Sequence, residues 1–208
     1  MGYYVKIHPD NPQIRQLENV ARVLADGGVA IIPTDTIYAL AAASNSIKGL
    51  KKLAALKRKV LEKASFSFVV NDFSQISEYT RQFDTATFKL LKRALPGPYT
   101  FIMEANQTVA KIFNTKRKTI GIRYPKNNIT HELTTLLGAP LVVTTLHIDD
   151  EILEYPTDPE LMYEDNKHLV DVVVDGGFGT LSPSTIIDVT GAEPVVIREG
   201  SGNLDVMQ

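Results

Sequence analysis

The sequence contains no cysteine and no tryptophan. Without cysteine there is no disulfide, no thiolate metal site and no cysteine nucleophile, a composition that fits a reducing, cytosolic compartment. No apolar run approaches the roughly 20 residues that are needed to cross a bilayer. The first residues, Met1–Lys6, also lack the apolar core of a signal peptide. We therefore expect a soluble, cytoplasmic protein with no membrane partner.

The motifs of several well-known sites are missing as well. No G-x-x-x-x-G-K-[ST] segment is present, so a nucleotide site in this chain would not be a P-loop. Gly177-Phe178-Gly179 lacks the third glycine of a dinucleotide fingerprint, and His131-Glu132 lacks the second histidine of H-E-x-x-H. There is no G-x-S-x-G elbow, and the histidines are scattered. The sequence therefore predicts no metal ion held by the protein itself.

The charges are unevenly distributed along the chain. The formal net charge is −2, but residues 1–126 contain 20 Lys+Arg and 9 Asp+Glu, whereas residues 127–208 contain 2 and 15. Such a division is typical of a basic surface for phosphates or nucleic acid. It is equally consistent with opposite charges that meet in the folded protein and cancel.

The 208 residues contain no internal repeat, low-complexity tract or Pro/Gly/Ser linker, which predicts one domain over residues 1–208. Predicted helices and strands alternate without forming one βαβ series, so we expect an α/β fold with a twisted, mixed sheet flanked by helices. The predicted helices include residues 14–24, 47–57 and 129–137, the last capped by Asn128. The predicted strands are residues 29–32, 66–70, 99–103, 119–122, 141–145, 170–174, 185–189 and 195–197.

Polar groups follow the apolar run Val29–Ile32, where the sequence reads Pro33-Thr34-Asp35-Thr36. Pro33 suits the end of a strand because it has no N–H to donate. Open α/β sheets place their ligands beyond strand ends, which makes these hydroxyl and carboxylate groups candidates for a binding site. By itself, the segment is as consistent with a plain strand-to-loop corner.

Three cations stand at the ends of predicted elements. Lys57 continues the apolar stripe of its helix, so its ammonium either extends to solvent or meets an anion. Arg123 and Arg198 each follow a strand, and a surface ion pair is an open interpretation for each, since Glu199 is adjacent to Arg198. Together with neighbouring hydroxyls, however, they favour a concave, positively charged pocket for phosphate or carboxylate groups. The hydroxyls are those of Thr34, Thr145, Ser182 and Ser184.

Six segments, in this order, make the chain resemble the YrdC/YciO family over nearly its whole length. They are P-T-D-T-x-Y from Pro33, Lys57-x-Lys59, L-P-G-P-Y-T from Leu95, G-I-R-Y-P from Gly121, P-S-T-I-I-D from Pro183 and R-E-G from Arg198. The opening residues Ile7–Pro12 and the Tyr38-Ala39-Leu40 variant are most similar to the YciO branch. The resemblance implies a single α/β domain with a large concave, positively charged cavity.

The resemblance also implies an activity: synthesis of L-threonylcarbamoyladenylate from L-threonine, bicarbonate and ATP, with release of pyrophosphate, for the N6-threonylcarbamoyladenosine modification of tRNA. Lys57 and Lys59 would be the catalytic pair that holds bicarbonate and the ATP phosphates, which carry Mg²⁺. The remaining assignments fall into two groups. Threonine would be bound by Thr34, Arg123, Thr145 and Ser184, and ATP also by Thr119, His147 and Arg198.

Two of these positions depart from the synthase pattern. Lys59-Val60 stands in place of Arg-Pro, and His147 in place of asparagine, so a planar guanidinium and an amide are both lost. The first hypothesis is a threonylcarbamoyladenylate synthase. The alternative is a non-catalytic member that binds double-stranded RNA or tRNA through the basic amino-terminal part. A third, less favoured, is carbamoyl transfer to another acceptor, because related domains occur in hydrogenase maturation factors.

Overall fold

Ten strands form one mixed sheet in the computed structural model, which describes residues 1–115, 118–146 and 156–207. In chain order they are β1 (Tyr3–Lys6), β2 (Ala30–Ile32), β3 (Ala39–Ala43), β4 (Ser67–Val69), β5 (Tyr99–Glu104), β6 (Thr119–Arg123), β7 (Leu141–Thr145), β8 (Val172–Asp175), β9 (Thr185–Asp188) and β10 (Val195–Arg198). Their order across the sheet is β1-β8-β2-β3-β7-β4-β6-β5-β9-β10. Four neighbouring pairs are parallel and five are antiparallel, so the predicted mixed sheet is confirmed.

Helices flank this sheet, as predicted. Within the described residues the α-helices are α1 (Ile14–Ala25), α2 (Ile47–Leu56), α3 (Phe73–Tyr79), α4 (Thr85–Ala94), α5 (Gln107–Ile112), α6 (Asn128–Leu137) and α7 (Pro159–Asn166). Short 3-10 helices span Leu61–Lys63 and Leu204–Met207. The prediction that Asn128 caps α6 is wrong, because the side chain of Asn127 accepts the N–H of Thr130. None of the described helices is long and apolar enough to cross a membrane.

The helices cover one face of the sheet fully and the other only in part. On the first face, α2, α3, α4 and α5 pack against a core that contains Leu50, Phe68 and Phe101. On the second face, α1 and α6 insert Leu17 and Leu133 above β8, β2, β3 and β7. The cluster of buried residues beneath α1 and α6 includes none from β5, β6, β9 or β10. That part of the second face is therefore the place where a ligand could reach the sheet.

Several side chains of this uncovered area are small or carry hydroxyl groups, with isoleucines among them. The register places Ser67 opposite Gly121, and Thr100 opposite Ile186. A Cβ at Gly121 would lie 2.4 Å from Oγ of Ser67 and 3.2 Å from Cγ2 of Thr100, so only glycine fits without displacing its neighbours. Because alternate residues of a strand face the same side, these positions leave a hollow where larger side chains would have filled a core.

Candidate active site

A cavity of about 190 Å³ occupies the uncovered part of the sheet. Strands β3, β4, β5, β6, β7, β9 and β10 and the segments next to them supply its walls. Among the described residues that line it, two are arginines and none is acidic. The lining residues are Ile37, Tyr38, Ala39, Ser65, Ser67, Thr100, Arg123, Val143, Thr144, Thr145, Pro183, Ser184, Ile186 and Arg198.

Arg123, the last residue of β6, is the most buried cation of the cavity wall. The residue is 6% exposed, and its Nη2 lies 3.0 Å from Oδ1 of Asp35 in an ion pair that is shielded from water. Burial lowers the pKa of Arg123, and the charge of Arg198 acts in the same direction, while the Asp35 carboxylate opposes both. The Nε atom of Arg123 is buried without a hydrogen-bond partner in the described part of the chain. The guanidinium therefore retains a donor that protein groups do not use.

The segment Thr34–Thr36, which we call the Thr-Asp-Thr corner, belongs to the turn that joins β2 to β3. Oγ1 of Thr34 donates to the carbonyl oxygen of Ile37 at 2.8 Å and accepts the N–H of Thr36 at 3.1 Å. Oδ2 of Asp35 accepts the N–H of Lys126 at 3.0 Å, and Nη2 of Arg123 donates to Oγ1 of Thr36 at 2.8 Å. The corner thus folds around the guanidinium of Arg123.

Lys57, the C-cap of α2, contacts a residue of the cavity wall. It is 8% exposed, and its Nζ lies 3.2 Å from Oγ1 and 3.4 Å from the carbonyl oxygen of Thr145, the last residue of β7. Of the two interpretations left open by the sequence, extension of the ammonium into solvent is therefore wrong. A buried lysine next to a hydroxyl that lines the cavity is well placed to meet an anionic ligand.

Ser184 connects the second arginine to Thr100 of the neighbouring strand β5. Its hydroxyl lies 2.7 Å from that of Thr100, and both residues are buried. Nη2 of Arg198 donates to the carbonyl oxygen of Ser184 at 2.8 Å and lies 3.5 Å from its Oγ. The arginine is thereby fixed by a backbone acceptor while it forms part of the cavity wall.

A second cavity, of about 310 Å³, adjoins the first. The two share Ser65, Ser67, Thr100 and Ile186 as lining residues. Thr119, which the sequence assigned to ATP, is exposed at the start of β6 and lines this second cavity. The combined hollow therefore has two compartments, one with both arginines and one without either.

The structure brings most of the predicted site residues together. Four of them line the first cavity, namely Arg123, Thr145, Ser184 and Arg198, and Lys57 contacts one of these. Thr34 lies behind Arg123 and does not line either cavity. Lys59 is exposed and also lines neither. His147 lies outside the described residues. The binding roles assigned to all of these residues stay predictions.

Sequence reasoning missed the hydroxyls of Ser65, Ser67 and Thr100. The signal for two of them was present, since Ser65-Phe66-Ser67-Phe68 alternates polar and aromatic residues with the period of a strand. Phe66 and Phe68 enter the main core, whereas Ser65 and Ser67 face the hollow. Such alternation indicates a strand with one polar face. It could have been used to predict that the polar face of β4 lines a site.

The uneven charge of the sequence has a partial explanation in ion pairs. Nζ of Lys52 lies 2.6 Å from a carboxylate oxygen of Asp171, and Lys6 lies 3.9 Å from Asp175. In both pairs a cation of the basic part meets an acid of the acidic part. Some of the opposite charges therefore cancel in the fold, while the arginines of the cavity supply positive charge at the site.

Comparison with known proteins agrees with the motifs. Residues 22–200 match the model of the Sua5/YciO/YrdC family, which carries the description "Telomere recombination". The chain is 37% identical to an uncharacterised protein of Haemophilus influenzae and 35% identical to YciO of Escherichia coli K12, over 98% of both chains in each case. It is 32% identical to a Methanocaldococcus jannaschii protein provisionally named threonylcarbamoyl-AMP synthase, over 94% of this chain and 92% of the other.

Solved structures support the same grouping. The crystal structure of E. coli YciO matches the whole of this chain over its own full length, with a TM-score of 0.89 and 32% identity. Sua5 of Pyrococcus abyssi in complex with L-threonine has the same fold, with a TM-score of 0.85 and 22% identity over 95% of this chain and 57% of that one. The α/β fold and the family predicted from the motifs are thus confirmed. The chain belongs to the Sua5/YciO/YrdC family, within the branch of YciO.

Proposed function

We propose that this protein is a synthase of L-threonylcarbamoyladenylate, which it makes from L-threonine, bicarbonate and ATP for the modification of tRNA. One observation carries the proposal: Arg123 and Arg198 line one small cavity that Lys57 approaches through Thr145. Each of the three substrates is an anion or contains a carboxylate. A cluster of cations, of which Lys57 and Arg123 are buried and Arg198 is half-buried, is therefore the chemistry that such a site requires.

The two compartments suit two substrates of different size. The smaller cavity would hold the amino acid and its carbamate against Arg123, while Arg198 in the same wall would serve the ATP phosphates, as the motif implies. The larger one, with Thr119, would hold the nucleotide, and the shared wall at Thr100 would bring the reacting groups together. Two relatives support threonine as a substrate and the synthase reaction through their names: Sua5 of P. abyssi is described in complex with L-threonine, and the M. jannaschii protein is provisionally named for the synthase reaction.

The reaction needs positioning and charge neutralisation more than a nucleophilic side chain. The amine of threonine attacks the carbon of bicarbonate, a C–N bond forms, and water leaves to give a carbamate. A carbamate oxygen then attacks the α-phosphorus of ATP as the bond to pyrophosphate breaks. Negative charge accumulates on carbamate and phosphates in both steps, and fixed cations offset it without reorganisation. Mg²⁺ would enter with the ATP phosphates that bind it.

The test is threonine-dependent release of pyrophosphate from ATP by the pure protein with bicarbonate and Mg²⁺. Lys57→Ala removes the buried ammonium, so we expect a loss of turnover on the order of 100-fold or more. The matched control is Lys89→Ala, which removes an exposed lysine of α4 and should leave the rate unchanged. Pyrophosphate release that does not depend on threonine, or equal rates for the two variants, would contradict the proposal.

One observation favours the RNA-binding alternative. Five cations between residues 48 and 63 are exposed, namely Lys48, Lys51, Arg58, Lys59 and Lys63. Exposed cations on one segment suit a duplex phosphate backbone, and such binding weakens steeply as salt is raised. If the protein binds tRNA without turnover, removal of Lys48 and Lys51 together should weaken binding more than Lys57→Ala does. Gel-shift measurements of tRNA affinity at two salt concentrations would compare these variants. If the double variant binds tRNA as tightly as Lys57→Ala does, a surface site on α2 is excluded.

A further inference from the structure

We propose that a recess between β1 and α7 binds a lysine or arginine side chain of a different protein. The recess has a volume of about 360 Å³, and the residues that line it are Tyr4, Glu160, Leu161, Tyr163 and Glu164. It shares none of them with the two cavities of the candidate active site. The recess is therefore a separate site, and its use does not depend on the reaction proposed above.

Two tyrosine rings form the aromatic part of the recess. The ring centroids of Tyr4 and Tyr163 lie 5.6 Å apart, and the ring planes are inclined by 58°. The hydroxyl of Tyr4 donates to Oδ2 of Asp175 at 2.6 Å, and that of Tyr163 donates to the carbonyl oxygen of Gly2 at 3.3 Å. Each ring is therefore held in place through its hydroxyl. Since a cation is attracted to the face of a tyrosine within about 6 Å of the ring centroid, this fixed pair suits an ammonium or guanidinium group.

Two carboxylates complete the recess, and none of the described residues that line it is a cation. Glu160 and Glu164 are four residues apart on α7, so their side chains share one face of this helix. Burial raises the pKa of Tyr4; the hydrogen bond and charge of Asp175, and then the charge of Glu160, act in the same direction. The recess is therefore a region of negative potential, which repels phosphates and attracts organic cations. A nucleic acid is accordingly unsuitable as its occupant.

The chain supplies its own example of a cation at this site. Nζ of Lys167, which follows α7, pairs with the carboxylate of Glu164 and lies 5.9 Å from the ring centroid of Tyr163. Lys6 is the other cation on these elements, and its side chain is 82% exposed. Glu160 forms no ion pair with any described residue. A second cation can therefore enter beside Glu160 and compete with Lys167 for Glu164.

The exposure of the recess favours a side chain of a protein over a free small molecule. A site for a free small ligand typically buries roughly 70–90% of the ligand surface. Glu160, Leu161 and Glu164 are all exposed, Leu161 by 62%, so a free cation would keep much of its surface in water. A lysine or arginine of a partner can lay its methylene stem on Leu161 while its charged head meets the carboxylates. The rest of the partner then adds contacts around the recess, where Asp165 extends the acidic surface of α7.

The first test uses small probes and NMR of the tyrosine rings. N-acetyl-lysine methylamide should shift the ring signals of Tyr4 and Tyr163 but leave those of Tyr79, which lies in the main core, unchanged. The norleucine analogue has the same stem without the charge, and at equal concentration its shifts should be at least about fivefold smaller. Equal shifts for the two probes, or no shift with the lysine probe, would overturn the proposal.

A peptide probe distinguishes a protein from a free cation as the occupant. A blocked hexapeptide of alternating lysine and leucine should bind at least about tenfold more tightly than the blocked lysine, because linked side chains bind at a raised effective concentration. The matched peptide of alternating glutamate and leucine should not shift the rings. If the lysine peptide binds no more tightly than the blocked lysine, the occupant is a free cation and the assignment to a protein is wrong.

Matched variants separate the recess from a general attraction to an acidic helix. The double variant Glu160→Gln/Glu164→Gln keeps the shape of the recess, and we expect it to bind the lysine peptide about 5- to 20-fold more weakly. Asp165→Asn removes an exposed acid of the same helix outside the recess, so the affinity should change less than about twofold. Equal losses of affinity in these two proteins would contradict the proposal. Tyr163→Leu should weaken binding about three- to tenfold, whereas Tyr163→Phe keeps the ring face and should bind nearly as the wild-type protein does. Equal losses in the two Tyr163 variants would refute a role of the ring.

Lys167→Ala provides a test of opposite sign. It frees Glu164 from its internal partner, so the lysine peptide should bind about two- to fivefold more tightly. Weaker binding would show that Lys167 itself holds the ligand, and it would overturn the assignment of a cationic occupant. In sedimentation measurements, concentration-dependent dimers that the double variant abolishes would identify a second copy of this chain as the occupant and refute a different protein. Threonine-dependent release of pyrophosphate should be the same in the double variant and the wild-type protein, and a loss would contradict a separate site.

Discussion

Arg58 has a backbone conformation that an L-amino acid rarely adopts. It follows Lys57, the C-cap of α2, and its φ is +51°. The N–H groups of Arg58 and Lys59 bond to the carbonyl oxygens of Ala55 and Ala54, which is the pattern of a Schellman motif. Glycine is the usual residue at this position because it has no Cβ to clash with the backbone. Arg58→Gly should therefore stabilise the protein.

The size of the effect follows from two opposing contributions. The left-handed conformation costs an L-residue roughly 1–2 kcal/mol, and glycine avoids that cost. Glycine also gives the unfolded chain more freedom, which offsets roughly 0.5–1 kcal/mol of the gain. We expect the free energy of unfolding to rise by about 0.5–1 kcal/mol. For a domain of this length, such a gain raises the Tm by about 1–4 °C.

Urea denaturation of Arg58→Gly and of the wild-type protein measures the difference in the free energy of unfolding, provided that the two m-values are equal. Lys59→Gly is the matched control, because its φ does not lie in the left-handed region and the same substitution should destabilise. Asn114→Gly, at φ +48°, tests the role of the residue type, since asparagine tolerates this region and should gain less. If Arg58→Gly is no more stable than Lys59→Gly, the strain argument is wrong.

Two further predictions concern the floor of the hollow and the response to alkali. Gly121→Ala places a Cβ against Ser67 and Thr100, which should destabilise the fold by about 1–3 kcal/mol and raise the KM for ATP, and added Ser67→Ala should recover part of both. Failure of Ser67→Ala to recover stability would locate the clash elsewhere. Burial raises the pKa of Tyr79 to about 12, so the unfolded chain loses this proton first and the free energy of unfolding should fall between about pH 10 and pH 12. In urea titrations at several pH values, Tyr79→Phe should make the fall of the unfolding free energy with pH shallower. The same dependence on pH in both proteins would show that Tyr79 is not its cause.

Local signals in the sequence were enough to predict many of the elements. β7 spans the five residues predicted for it, because Leu141–Thr145 combines β-branched and apolar side chains between Pro140 and a change of composition. α2 was predicted over residues 47–57 and spans Ile47–Leu56. The prediction succeeded to within one residue because the apolar stripe of this helix is regular and Ser46 caps its start. Gly27 ends α1 with a φ of +92°, as the left-handed signal indicates.

β3 could not be predicted from the same signals. Its sequence, Ala39-Leu40-Ala41-Ala42-Ala43, has low strand propensity and no alternation of polar and apolar residues. The strand exists because β2 and β7 pair with it on both sides, so that every residue is buried. The alanines also lie close to a helix, since a Cβ at Gly49 of α2 would be in van der Waals contact, at 3.5 Å, with the Cβ of Ala42. Neither sequence segment shows this proximity alone.

For the site, the sequence identified cations and hydroxyls at strand ends, but it did not show which of these side chains reach the cavity. Arg123, Ser184 and Arg198 converge on one cavity because β6 and β10 end, and β9 begins, at the same edge of the sheet. Thr34 has the same sequence signal, a hydroxyl beyond a strand, yet its side chain lies behind the wall. The turn between β2 and β3 decides the direction of that hydroxyl, and turn geometry of this kind depends on contacts with Arg123, 89 residues away in the chain.

A single strand can contribute to the core at one end and to the cavity wall at the other. On the second face, β7 presents Leu141, Val143 and Thr145 in succession, and only the first of these lies fully within the core beneath α6. The register places Ala43 and Val69 beside Leu141, but Ala39 beside Thr145. The row of side chains through Leu141 is therefore covered by a helix, and the row four residues further along, through Thr145, lines the cavity. Alternate residues of a strand share one face, so Thr145 lies on the same face as Leu141 and Val143. One polar residue at the end of this apolar strand is therefore enough to change that face from core to cavity wall. Thr145 is also the residue that Lys57 contacts.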